Sequence, residues 1–223
     1  MKLTVVIPIH NEVETIRTVV ERVQAVALDK EIILVDDGST DGSDKVVEEL
    51  AADGFQTIHH PTNRGKGAAV RSGFDAAEGD IVVVQDADME YDPQDFIALM
   101  EPLDKGEADV VYGVRTLETQ KAVMRLGNHF VTWVANMIYG QRLHDMETCY
   151  KMMRRPIARS LLLECRGFDV EAETTAKLLR AGHRIHELPI SYVARYENKK
   201  LTPLDGIPTI QALWRYRKWQ PKV

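Results

Sequence analysis

Four apolar runs, each ending in a polar cluster, divide the first half of the chain. They cover Leu3–Ile9 and residues 31–35, 80–84 and 109–112. Runs this short and this apolar predict strands buried on both faces, as in a parallel sheet. Between them, apolar positions recur every three or four residues. In residues 12–27, Val13, Ile16, Val19, Val20 and Val23 share one helical face, and Asn11 with Glu14 reads as a capping box at its start. A second helix is expected over residues 44–52, closed by Gly54, and a third from Gly67, carrying Ala68, Ala69, Phe74 and Ala77. Residues 116–124 are polar and aperiodic and predict a mobile loop. Residues 126–139 predict an apolar helix, and residues 187–192 one more strand. Alternating strands and helices predict a Rossmann-like α/β fold, with a mixed, mostly parallel sheet flanked by helices.

Composition narrows the class. A chain of 223 residues, 44% hydrophobic and 28% charged, suits one domain with an appendage, which we place at residues 1–200 and 201–223. No run approaches the roughly 20 apolar residues of a spanning helix, and a strand-like segment follows Met1 where a leader would stand. Two cysteines, Cys149 and Cys165, form no C-x-x-C pattern, so buried, inert thiols and a cytoplasmic setting are expected. The net charge of −6 argues against nucleic acid as a partner. Charge is nonetheless uneven. Arg195, Lys199, Lys200, Arg215, Arg217, Lys218 and Lys222 face only Glu197 and Asp205, and Trp214, Tyr216 and Trp219 lie among them. Such a tail suits an anionic membrane surface, or a solvated helix with aromatic anchors into the core.

In an open α/β sheet, ligands bind beyond the carboxyl ends of the strands. Those ends deliver Glu12, then Asp36 and Asp37, then Asp86 and Asp88. Carboxylates gathered at one edge repel each other unless a cation or hydrogen-bond donors compensate, and a hard cation bridging carboxylates and phosphates would do so. Alone, the D-x-D spacing is weak, since any acidic turn produces it. Asn63-Arg64-Gly65-Lys66-Gly67 is a glycine-rich entry to a helix. It reads either as an anion cradle or as a tight strand-to-helix turn, and it lacks the glycine spacing and Ser/Thr of a Walker A loop.

Taken together, Val5 to Glu12, Val35 to Ser43, Asn63 to Ala69, Gly79-Asp80 and Asp86-Ala87-Asp88 resemble the GT-A family 2 glycosyltransferases, in order and at matching spacing. The second half resembles the polyprenyl-phosphate (dolichyl-phosphate) sugar synthases. The matching text is Asp92-Pro93, Gly113-Val114-Arg115, Arg125 to Asn128, Asp145 to Lys151, Arg166 to Glu171, Glu187 to Ile190, Arg195 and Lys199-Lys200-Leu201. The resemblance implies inverting transfer of one sugar from a nucleotide-diphosphate sugar to a lipid phosphate on the cytoplasmic face of a membrane. UDP-hexose is the favoured donor and GDP-mannose the alternative. It further implies Mg2+ or Mn2+ as cofactor, and an oligomer or a separate membrane-embedded subunit as a partner. By position, Pro8, His10, Glu12 and Asp37 would line the nucleoside pocket, with Lys66 and Ala87 near the nucleotide. Asp86, Asp88 and Glu90 would surround the metal. Arg115, Arg125 and Arg195 would hold phosphates, and Asp145 would orient the acceptor or a sugar hydroxyl. Glu90 and Glu147 depart from the Gln common in relatives and leave the metal shell and sugar contacts open. The rival readings are a transferase with a soluble glycan or small phosphate acceptor, and a nucleotide-sugar-binding protein without catalysis.

Overall fold

The computed structural model describes residues 1–195 and 206–221. In chain order its elements are β1 (Leu3–Ile9), α1 (Ile16–Gln24), β2 (Lys30–Asp36), α2 (Ser43–Ala52), β3 (Gln56–His59), α3 (Lys66–Ala76), β4 (Ile81–Val84) and α4 (Phe96–Asp104). There follow β5 (Val110–Arg115), α5 (Ala122–Tyr139), β6 (Lys151–Arg154), α6 (Arg155–Ser160), α7 (Val170–Arg180), β7 (Ile185–Ile190) and α8 (Gly206–Tyr216).

The uninterrupted apolar strands feed two cores, because successive side chains leave a strand on opposite faces. Leu3, Val5, Ile7 and Ile9 of β1 join one core and Val6 the other; Ile81 and Val83 of β4 part from Val82 and Val84 in the same way. Helices α1, α2 and α4 close the first core through residues such as Val19, Leu50 and Leu99. Helices α3, α5, α7 and α8 close the second through Phe74, Ala135, Ala176 and Leu213. The seven strands lie in the order β3-β2-β1-β4-β6-β5-β7. All neighbours are parallel except β6, which runs antiparallel to both β4 and β5. The carboxyl ends of β1, β2, β4 and β5 therefore share one edge.

Several expectations need correction. Helix α1 begins at Ile16, not at residue 12, and no capping box forms. The Glu12 carbonyl closes a turn by accepting from the amides of Thr15 and Ile16. Asn11 takes a positive φ of 54° and accepts from Thr40 N at 2.8 Å, while Val13 is exposed instead of facing the core. Residues 116–124 are not one loop. A 3-10 turn at Leu117–Thr119 leads into α5 at Ala122. Buried Leu117 anchors it, and the Gln120 amide donates to Tyr192 Oη while accepting from Asn128. Of the two readings of the tail, the helix anchored in the core describes α8, whose Ala212, Leu213 and Tyr216 are core residues. Glu197, Lys199, Lys200, Leu201, Asp205 and Lys222 lie outside the described residues.

Candidate active site

At the shared edge a cavity of about 390 Å³ opens, within the usual size range of small-ligand sites. Its lining includes Pro8, His10, Glu12 and Asp37 from the ends of β1 and β2, Lys66 from the start of α3, and Asp86, Ala87, Asp88 and Glu90 beyond β4. Arg115 ends β5, and Arg195 closes the far side.

Asp37 is buried and its carboxylate is committed within the protein. It accepts from Arg64 N at 2.9 Å and Gly65 N at 2.7 Å, and pairs with His60 Nδ1 at 2.6 Å; the other His60 nitrogen meets Ser72 Oγ at 2.9 Å. This favours the tight-turn reading of residues 63–67, since two of the loop's amides already serve Asp37. Its glycines are needed for another reason. A Cβ on Gly65 would lie 2.2 Å from Arg166 O, and one on Gly67 2.3 Å from Cys165 O. Only a bare backbone passes that close to residues 165–166. His10 donates from Nδ1 to the Asp37 carbonyl at 3.1 Å, which leaves Nε2 to accept from the Asn63 amide at 2.9 Å.

The acidic turn after β4 is held by Met89 at φ 65°, strained for a non-glycine residue. Glu90 N thereby donates to Asp88 Oδ1 at 3.1 Å. Burial, then repulsion from Asp86 and Glu90, pushes the Asp88 carboxyl up to about 7. Glu90, assigned to the metal by the resemblance, accepts from Tyr192 Oη at 2.6 Å and Arg195 N at 2.7 Å. Among the described residues no three His, Cys, Asp or Glu side chains converge as a ready metal centre. Asp86 and Asp88 fit a hard cation by their oxygen chemistry and by the excess of negative charge that Asp88 registers, with further oxygens supplied by a ligand.

Every cation with an ion pair in this lining is matched by a carboxylate. Lys66 contacts Asp86 Oδ1 at 2.8 Å and Glu171 Oε1 at 3.1 Å. Burial opposes its charge, but the two carboxylates outweigh burial and hold it well above the usual lysine range. Arg195 donates bidentately to Glu12 at 2.8 and 3.0 Å. Arg115 does the same to Asp145 at 2.7 and 2.9 Å, and its attraction, outweighing burial, keeps the Asp145 carboxyl below its ordinary range. The Arg115–Asp145 pair forms a wall. On its far side is a second cavity of about 490 Å³, lined by Arg125 together with Arg115 and Asp145 of the pair itself. The structure therefore does not bring Arg125 into the main cavity.

The motif pattern undervalues three acids. Glu171 and Glu173, acids in a first helical turn that would suit a solvated face, are buried. Glu171 pairs with Lys66 and Lys151. Glu173 pairs with Lys177 at 2.7 Å and accepts from Glu164 N and Cys165 N, fixing the segment that the glycine loop passes. The i,i+4 spacing of Glu173 and Lys177 suits a solvated helix face and gives no sign of their burial. Glu147 lines the cavity, and its Oε1 is enclosed without a partner among the described residues. Burial pushes its carboxyl up to about 7. Both cysteines are free and buried, and burial raises both thiols, as expected of inert ones.

The model of the family described as Glycosyl transferase family 2 matches residues 4–162. The chain belongs to that family. Among its relatives in family 2, an undecaprenyl-phosphate 4-deoxy-4-formamido-L-arabinose transferase of Pseudomonas fluorescens is 29% identical over 91% of this chain. The chain spans 61% of that longer protein. A polyprenol monophosphomannose synthase of Mycolicibacterium smegmatis is 27% identical over 96% of this chain and 85% of its own length. Glucosyl-3-phosphoglycerate synthase of Mycobacterium tuberculosis, crystallised with Mn2+, uridine diphosphate and phosphoglyceric acid, superposes with a TM-score of 0.77. At 23% identity, over 99% of this chain and 80% of that one, it is alike in fold. The mixed, mostly parallel sheet is thus that of GT-A glycosyltransferases.

Proposed function

We propose that this family 2 chain transfers one sugar, with inversion, from a nucleotide-diphosphate sugar to a polyprenyl phosphate at the cytoplasmic face of a membrane. The carrying observation is the Asp86–Asp88 turn beside Lys66 in the cavity at the strand ends. It offers oxygens for a cation and an ammonium for phosphate in one place. Relatives that act on undecaprenyl and polyprenol phosphates support the acceptor class.

A phosphate oxygen of the acceptor attacks the anomeric carbon, and the nucleoside diphosphate leaves from the opposite face. The second pKa of a phosphate monoester lies near 6, so the nucleophile is already anionic and needs little base assistance. The chain's task is to seat two anionic groups together. Asp86 and Asp88 would hold Mg2+ or Mn2+, which supplies charge screening for the departing diphosphate. Lys66, held between Asp86 and Glu171, would present its ammonium to the phosphates. Pro8 and His10 border the nucleoside, while Asp37 acts through the loop it fastens. Arg115 keeps Asp145 in place, and Arg125 waits in the neighbouring groove for an acceptor phosphate. UDP-hexose is our favoured donor.

The test is a panel of UDP- and GDP-sugars offered with a short-chain polyprenyl phosphate and Mn2+ or Mg2+. Product with the lipid phosphate is expected. A small phosphate acceptor is the second reading, favoured by the fold's likeness to the phosphoglycerate-linked synthase. Transfer to 3-phosphoglycerate with none to the lipid phosphate would establish it instead.

A further inference from the structure

Helix α5 has two contrasting sides. Met124 and Asn128 face the main cavity, and Val131, Thr132 and Ala135 are buried. On the outer side stand Val123, Leu126, Phe130, Trp133 and Met137, spaced by three and four residues and between 51% and 71% exposed. This spacing draws one stripe along the helix, about 21 Å from end to end. The Phe130 and Trp133 rings stack with centroids 6.0 Å apart. A helix facing water carries polar residues at such positions. Helix α8 lies against α5, with Tyr139 Oη donating to Leu213 O at 2.7 Å. It adds exposed Ile207 and Trp214, and the Arg217 guanidinium sits 3.8 Å over the Trp214 ring.

Charge selects the occupant of this face. Residues 121–139 contain Lys121 and Arg125 and no Asp or Glu. Residues 206–221 contain Arg215, Arg217 and Lys218, again without an acid. Two such segments in a chain of net charge −6 concentrate positive charge around the apolar stripe. A second copy docked through the same face would set these cations against themselves. An anionic lipid surface would neutralise them while its acyl boundary receives the stripe. Among the described residues no helix is long and apolar enough to cross a membrane, so the contact is interfacial.

We infer that the outer side of α5, flanked by α8, rests on an anionic bilayer, with Leu126, Phe130, Trp133 and Met137 entering the headgroup–acyl boundary. This rests on the transferase reading only in its purpose. The opposite side of α5 contributes Met124 and Asn128 to the cavity wall, so the bilayer would lie about one helix diameter, roughly 10 Å, from the site.

The test uses the full chain, sedimented with phosphatidylcholine vesicles with and without phosphatidylglycerol. The double variant Leu126→Glu, Phe130→Glu should lose about tenfold or more of the partitioning onto mixed vesicles, while its affinity for UDP with Mn2+ stays unchanged. Partitioning equal to the parent's, or a parent that stays in the supernatant, overturns the inference. So does a dimer in lipid-free sedimentation velocity that the substitutions dissociate. Quenching of the unmodified chain's tryptophan emission by brominated phosphatidylglycerol vesicles is expected regardless of how the variant folds, and its absence is equally decisive. Transfer to a water-soluble short-chain polyprenyl phosphate is read in parallel. Its failure in the parent would defeat the transferase reading and leave the membrane result standing.

Discussion

Asp88 sits where electrostatic discomfort and usefulness coincide. Its carboxyl is pushed up by burial and by Asp86 and Glu90, so its charged form is disfavoured there. Asp88→Asn should leave the thermal midpoint equal or higher, yet lower turnover by at least about a hundredfold through loss of a cation ligand. A steady-state assay beside a thermal melt checks both halves, and unchanged turnover contradicts the assignment. Glu147 provides a separate pH test. Its carboxyl rises from the ordinary 4.5 to about 7, so the folded state binds its proton more tightly than the unfolded state does. Its contribution is full below pH 4.5 and fades as pH rises through about 7. Glu147→Gln should therefore gain stability over the parent between pH 5 and 8, on the order of 2 kcal/mol at the upper end. Urea midpoints at several pH values measure it, and parallel curves would refute it. The strand-end acids Glu12, Asp37, Asp86 and Asp88 could be read from the sequence because strand-end position is written in the apolar runs, whereas Pro8, His10, Lys66 and Arg195 came from the family resemblance. The pairing of Arg115 with Asp145 could not, since 30 residues separate them and only the sheet brings them together.

At the scale of elements, one carboxylate ties β2 to the loop entering α3. Asp37→Ala would strand the amides of Arg64 and Gly65 and the His60 ring together, three donors left by one deletion. A loss of about 2–4 kcal/mol is expected, measured by denaturant unfolding. Nucleotide affinity should fall as well, because the loop borders the cavity. A variant that keeps full stability would return Asp37 to a direct ligand role. The central strands β1, β2 and β4 were legible because each is a continuous apolar run. β6 was not: Lys151-Met152-Met153-Arg154 carries charge at both ends, and its Lys151 is buried only because Glu171 reaches it from α7. The burial of α7 was hidden for the same reason. Acid and base i,i+4 apart on a helix normally mark a solvated face, yet Glu173 and Lys177 pair in the interior.

For the molecule as a whole, α8 closes the second core and does not hang free. Leu213 is fully buried and Trp214 is exposed. Leu213→Ala should cost about 2–5 kcal/mol, whereas Trp214→Ala should stay within about 0.5 kcal/mol. Equal effects in thermal or urea unfolding would mean that α8 is dispensable to the core. A basic aromatic tail and a core helix use the same residue types, and only the burial of Ala212, Leu213 and Tyr216 distinguishes them. The matched ion pairs of the cavity have a consequence at this scale too. Lys66, Arg195 and Arg115 each hold a carboxylate, so an arriving diphosphate must exchange partners within the site. If the proposed divalent ion occupies Asp86, it would lower the cost of that exchange. Thermodynamic reciprocity then requires the nucleotide to raise the ion's affinity by the same factor. On the proposed function, the two ligands would then act as one cooperative unit, and neither alone would report the true strength of the other's binding.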